Sequence, residues 1–146
     1  MATVPKFHDV HDIPLITDAD VLDRVAALIQ HAIRRQVWLM FLDEDSRQLP
    51  VLMPSYVPRT PRPGDGARLG EFFRLMAGDC DASTVVLTLE RRGRADLSEA
   101  DRKWLRMLRE ACLLAEIQFR GPLLCHNDGV RWVPLDEYLD AGAAGA

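Results

Sequence analysis

Residues 84–135 read TVVLTLERRGRADLSEADRKWLRMLREACLLAEIQFRGPLLCHNDGVRWVPL, and the order of patterns within them decides the fold. Thr84 to Leu89 is a β-branched, near-continuous apolar run, which predicts a strand covered on both faces. Ser98-Glu-Ala-Asp101 sets an acid three residues after a serine, close to the capping box that opens helices. Behind it Trp104, Leu105, Leu108, Ala111, Cys112 and Ala115 recur at helical spacing, so the longest amphipathic helix runs to about Glu116. Ile117 to Cys125 returns as a strand despite Gly121-Pro122. Asn127-Asp128-Gly129 then turns it into a hairpin with Val130 to Val133.

Upstream, residues 1–16 carry Pro5 and Pro14, which break a continuous helix and predict an extended arm. Asp18 is a candidate N-cap for a helix through about Arg35, with Val21, Leu22, Val25, Leu28, Ile29, Ala32 and Ile33 on one face. Val37 to Leu42 (VWLMFL) predicts a buried strand, Asp43-Glu44-Asp45-Ser46 a turn, and Leu49 to Met53 a second strand that Pro50 places near an edge or bulge. Residues 54–65 (PSYVPRTPRPGD) hold four prolines and a glycine, a stiff loop of the length that often lies beside a site. Gly66 to Gly78 predicts another helix with Leu69, Phe72, Phe73 and Met76 inward. Leu135 to Leu139 is a short amphipathic segment before the tail AGAAGA. Helix, hairpin, helix, strand, helix, hairpin is the order of a three-layer mixed α/β (α+β) domain spanning 17–140, with an arm at 1–16 and a tail at 141–146.

A chain of 146 residues suits one domain with a core of its own. Its 18 basic and 22 acidic residues leave a net charge of −4, against a dedicated nucleic-acid coat. No apolar run reaches the ~20 residues of a membrane span, and no secretory leader pattern opens the chain, so the expected location is the cytoplasm. Cys80, Cys112 and Cys125 form no CxxC pair, against a disulfide framework or zinc knuckle. Only Lys6 and Lys103 among the bases are lysine, so arginine abundance here is weak evidence for phosphate binding.

From Thr88 onward the chain resembles the second half of a RadC-like domain of the JAB/MPN (JAMM) metalloprotease superfamily. Those proteins have a strand ending in His-x-His-Pro-Ser-Gly, a spacer, Ser-x-x-Asp opening a long helix of the form LxxAxxLLGI, then a hairpin. The strand, the spacer, Ser98-Glu-Ala-Asp101, the helix ending LREACLLAEI and the hairpin follow in that order over roughly 50 residues, and the VWLMFLDEDSRQL hairpin extends the likeness more loosely upstream. The resemblance implies a three-layer mixed-sheet JAB/MPN-like (cytidine-deaminase-like) fold. In the family the two histidines and the Asp hold one zinc, whose bound water the metal acidifies while an upstream Glu serves as base. Aligning Ser98 and Asp101 puts Thr88 and Glu90 where the histidines belong, so both imidazoles are missing. A neutral hydroxyl is a poor zinc ligand, two carboxylates suit a harder cation, and Arg91, Arg92 and Arg94 crowd the same turn. The implied domain is non-catalytic. Thr88, Glu90, Ser98 and Asp101 mark a degenerate metal site in which Asp101 survives as part of a helix cap, and no metal or cofactor is expected.

Other candidate chemistry is sparse. His8-Asp9-Val10-His11-Asp12 is the one concentrated ligand-type cluster, but it falls in the arm. His31, near the end of the first helix, and His126, beside Cys125 and Asp128 in a turn, read as surface residues. No nucleophile elbow, P-loop or dinucleotide fingerprint occurs. Residues 91–109 hold seven bases against three acids, and Arg102, Arg106 and Arg109 follow i, i+4, i+7 spacing along one helical stripe. With Arg91, Arg92 and Arg94 they are the candidates for anion or partner binding. The plainer reading is a solvated face with an Arg106 to Glu110 pair. Trp104 faces the core by periodicity, so no aromatic is offered to stacking bases. The favoured function is a protein interaction or assembly module, a homodimer through an edge strand or helix being one form, with nucleic acid open but not favoured and no membrane partner. The alternatives are a metal-dependent hydrolase drawing ligands from Glu90, Asp101, His8 and His11, a DNA-associated RadC relative using the arginine stripe, and a different α/β ligand-binding domain.

Overall fold

The computed structural model describes residues 13–139. The chain order is α1 (Asp18–Ile29), β1 (Gln36–Leu42), β2 (Gln48–Tyr56), α2 (Asp65–Cys80), β3 (Thr84–Glu90), α3 (Glu99–Ala115), β4 (Gln118–His126), β5 (Gly129–Trp132) and α4 (Leu135–Tyr138). The five strands form one mixed sheet in the order β2-β1-β3-β4-β5. β3 and β4 run parallel, joined by the α3 crossover, and the other pairs are antiparallel.

The strand alternation explains the layers. Val37, Leu39 and Phe41 of β1 and Val85, Leu87 and Leu89 of β3 point to one face, where Phe73 of α2 and Trp104, Leu105 and Leu108 of α3 close the main core. Met40, Leu42, Val86 and Leu123 point to the other, beneath Leu15 and the Val21 and Val25 stripe of α1. Central strands buried on both faces favour near-continuous apolar sequence; β3 is buried along its whole length, with Thr84, Thr88 and Glu90 its polar exceptions. The mixed α/β architecture expected from the sequence is therefore present. α2 and α3 pack closely because Gly70 carries no side chain: a Cβ there would lie 3.1 Å from the Ala111 carbonyl oxygen. No helix is long and apolar enough to cross a membrane.

The largest departures from the sequence reading are in the first helix and in β2. The first helix is capped by Thr17, not Asp18, in a full capping box with Asp20, and it ends at Ile29 instead of Arg35. Its continuation is drawn off by tertiary acceptors: the Ala32 N–H donates to the His126 carbonyl at 2.9 Å, and the Ile33 and Arg34 amides donate to Glu90. Ile33, placed inward by periodicity, is consequently 52% exposed. β2 runs on through Pro54 to Tyr56 into the stretch read as loop, which an edge strand permits because one row of its backbone groups needs no partner. Pro50 does fall on this edge strand. The Gly121-Pro122 interruption in β4 is absorbed where the β3/β4 register shifts, with Gly121 at φ 109°. The histidine cluster His8 to His11, most of the arm and the AGAAGA tail lie outside the described residues.

Candidate functional site

The four residues aligned with a metal site gather at the carboxyl end of β3 and the start of α3. Thr88 is 1% exposed, between Trp38 of β1 and Leu123 of β4 in register. Glu90, two residues on, is equally enclosed, and all of its acceptor capacity is directed at N–H donors. Oε2 accepts from the Ile33 amide at 2.7 Å and the Arg34 amide at 2.9 Å. Oε1 accepts from Gln36 Nε2 at 2.9 Å and Trp38 Nε1 at 2.7 Å. Burial pushes this carboxyl up, but the Arg34, Trp38, Gln36 and Ile33 donors outweigh it and hold the group below the ordinary glutamate range.

Asp101 is held just as tightly. Its Oδ2 accepts from Arg91 Nε at 3.0 Å, Arg91 NH2 at 2.9 Å and the Ser98 amide at 2.9 Å. The Asp101 amide in turn donates to Ser98 Oγ at 3.1 Å, completing the capping box read from the sequence. Burial raises the Asp101 pKa, while the Arg91 guanidinium and Ser98 pull it lower and prevail. Arg91 is itself buried and also donates to the Arg94 and Asp96 carbonyls at 2.6 and 2.9 Å, pinning the loop between β3 and α3. Asp101 is thus more than a cap: it is half of a buried ion pair, and Arg91 is structural, not a free surface cation. Asp101 Oδ1 has no partner among the described residues.

These donors make a poor zinc site. Each Glu90 oxygen faces two N–H groups, and the cation beside Asp101 is already a guanidinium. Among the described residues no three His, Cys, Asp or Glu side chains converge as a ligand set. Cys125, opposite Glu90 in β4, is buried, with its thiol pushed up to about 12 by burial and by the Glu90 charge. His126 Nδ1 accepts from the Asp128 amide within its own turn, and burial lowers its pKa. His31 lies beyond the end of α1, exposed.

The arginine stripe on α3 is largely committed within the chain. Arg102 Nε donates to the Glu137 carbonyl at 3.2 Å and Arg106 NH1 to the Tyr138 carbonyl at 2.9 Å, so two of its three members dock the short C-terminal helix. Arg109 is half-buried near Tyr138. The ion pair expected between Arg106 and Glu110 is instead between Arg106 and Glu99, at 3.1 Å, because α4 draws the guanidinium toward the first turn of the helix.

A different basic surface appears beside the Arg91–Asp101 pair. A cleft of about 420 Å³ is lined by Arg35, Arg59, Arg91, Arg92 and Arg94 together with Asp96, Ser98 and Asp101. Its five guanidinium groups against two carboxylates leave three formal positive charges. Sequence reasoning found Arg91, Arg92 and Arg94 but missed Arg35, taken as helical, and Arg59. The signal for Arg59 was its position in the proline-rich loop, whose Pro58 and Arg59 carbonyls are fastened by Trp104 Nε1 at 2.9 and 3.1 Å. No protein-family model matches the chain, and no curated protein matches it in sequence.

Proposed function

We propose that the chain is a non-catalytic, RadC-like member of the JAB/MPN superfamily, acting by binding as an interaction or assembly module. The reading rests on one observation above all. The residues aligned with the family's metal ligands are each engaged by the fold: Glu90 by four N–H donors and Asp101 by Arg91 and Ser98. The order of elements and the capping box at Ser98 support the superfamily resemblance. Exposed apolar side chains support a binding role. Leu75, Leu113 and Leu114 stand open near the carboxyl ends of α2 and α3, which Arg74 ties together through the Leu114 carbonyl.

Elemental analysis of protein supplied with zinc, alongside an isopeptidase assay, tests this directly. The expected outcome is substoichiometric metal and no cleavage. Zinc bound near Glu90 and Asp101 at one equivalent, lost on Asp101→Asn, overturns the reading in favour of a hydrolase with atypical ligands.

A further inference from the structure

We infer that the cleft between Arg35, Arg59, Arg92 and Arg94 binds the phosphoryl group of a small phosphorylated molecule. The inference deepens the binding role proposed above, supplying a ligand class for a surface next to the locked Glu90 and Asp101.

Position is the first argument. The cleft opens at the carboxyl end of β3, where the chain enters the loop leading to α3, and the neighbouring parallel strand β4 ends at the same level, its Asn127 amide donating to the Gly93 carbonyl at 3.0 Å. In open α/β sheets this crevice outside the carboxyl ends is where ligands bind.

Unspent charge is the second. Arg91 is neutralised by Asp101 and serves as the wall of the cleft. Arg92 anchors through Nε to the Ile33 carbonyl at 2.7 Å and makes no ion pair among the described residues, where Arg94 reaches only Asp96, at 3.7 Å with both side chains in water. Arg35 and Arg59 have no acidic partner among the described residues. Arg35 carries the sharpest mark: its NH1 is buried with no acceptor among the described residues. A guanidinium nitrogen withdrawn from the surface without a protein acceptor is a group that an ordered water or a bound anion ordinarily satisfies. Arg35 lines the cleft, so an anionic oxygen there meets the guanidinium that carries this nitrogen.

The ligand class follows from charge and shape. Guanidinium forks match phosphate and carboxylate alike, but three excess charges suit a group of charge near −2 or −3 better than a single carboxylate. A nucleic-acid strand is disfavoured because the positive charge is confined to one cleft in a chain of net −4. The stripe that could extend the track along α3 is occupied by α4, and among the described residues no aromatic side chain lines the site for base stacking.

The test titrates inorganic pyrophosphate into metal-free wild-type protein by calorimetry, beside Arg35→Gln/Arg59→Gln and a charge-matched control, Arg47→Gln/Lys103→Gln, at exposed positions away from the cleft. Neither cleft arginine makes a side-chain hydrogen bond or ion pair among the described residues, and matching melting temperatures verify that the variant folds. Saturable one-to-one binding to wild type and control, weakened about tenfold or more in the cleft variant, is the expected result. No saturable binding by wild type, or equal binding by all three proteins, overturns the proposal. A single-stranded oligonucleotide that binds more tightly than pyrophosphate, with a steep salt dependence abolished in the cleft variant, also overturns it by assigning the cleft to nucleic acid. Stoichiometric zinc would sink the non-catalytic reading without touching this titration, and a failed titration leaves the metal analysis as it stands.

Discussion

Glu90→Gln is the substitution that most sharply separates a structural carboxylate from a catalytic one. The native group accepts four N–H bonds, two on each oxygen. The replacement amide has one acceptor oxygen and one NH2, so one pair of donors must face a donor. Turning its oxygen toward the two backbone amides of Ile33 and Arg34 is the better choice, because Gln36 can flip its own amide and accept from the new NH2. Trp38 Nε1 has only a hydrogen to offer and is left orphaned. An unsatisfied buried donor costs about 1–3 kcal/mol, and each surviving bond falls from a charged to a neutral one, a further loss of roughly 1 kcal/mol apiece. Removing a buried charge returns part of that. The net expectation is about 2–4 kcal/mol, which for a chain of this size lowers Tm on the order of 10 °C. Burial raises the native pKa, yet the N–H donors bring it below the ordinary value of 4.5. Glu90 therefore stabilises the fold fully above that value and ceases to as pH falls through the lower folded pKa. Thermal melts from pH 7 down to pH 3 should show the wild-type advantage over the variant narrowing in acid. Adding Trp38→Phe removes the orphan, so the double variant should be less destabilised than the sum of the singles by about 1 kcal/mol or more. Melting unchanged in Glu90→Gln, or strictly additive effects with Trp38→Phe, would refute the four-donor account.

Arg91→Leu leaves Asp101 buried without its counter-ion and should cost about 3–5 kcal/mol in chemical denaturation, while Arg91→Leu/Asp101→Leu recovers much of the loss; equal stability of the single and double variants counts against the pair. Ser98→Ala removes one half of the capping box and should cost on the order of 1 kcal/mol, read from the same denaturation curves. In native protein at pH 8 a thiol reagent should label Cys80 well before Cys112 or Cys125, whose thiols burial pushes up to about 12; mass spectrometry of the labelled peptides identifies the order, and early labelling of Cys125 contradicts its enclosure.

The elements with strong local signals were legible. β3 declares itself by the near-continuous, β-branched apolar run that suits a strand packed on both faces, and α3 because Ser98 and Asp101 cap a helix with a clean apolar stripe. The end of α1 was not legible: Ala32 and Ile33 continue the helical period, and only acceptors far along the chain, at His126 and Glu90, pull their amides away. The same limit governs the site. Thr88, Glu90, Ser98 and Asp101 could be aligned by spacing, but the partner of Asp101 lies ten residues back at Arg91 and the donors to Glu90 lie over fifty residues back. Helical spacing correctly drew Arg102 and Arg106 onto one face and still misjudged their role, since a stripe has the same period whether water or the C-terminal helix covers it. Arg35 and Arg59 joined the cleft through tertiary placement alone.

The loop from Arg91 to Ser98 links these findings. A buried aspartate at a helix start needs positive charge nearby, and the first turn of α3 offers only its dipole and the Ser98 amide. Arg91 supplies the rest, and its planar fork also reaches the Arg94 and Asp96 carbonyls, so one side chain fixes both the acid and the loop that carries Arg92 and Arg94. A lysine could not do this, having no fork to span three acceptors. Rigidity of the loop has a functional consequence. Arg92 and Arg94 are held at one side of the cleft before any ligand arrives, so less of the binding energy is spent on ordering the chain. Disrupting Arg91 should therefore weaken both the fold and the anion site, whereas Arg35 and Arg59 touch only the latter. On the proposed anion-binding reading, that division leaves the cleft, and not the Arg91–Asp101 pair, open to a ligand.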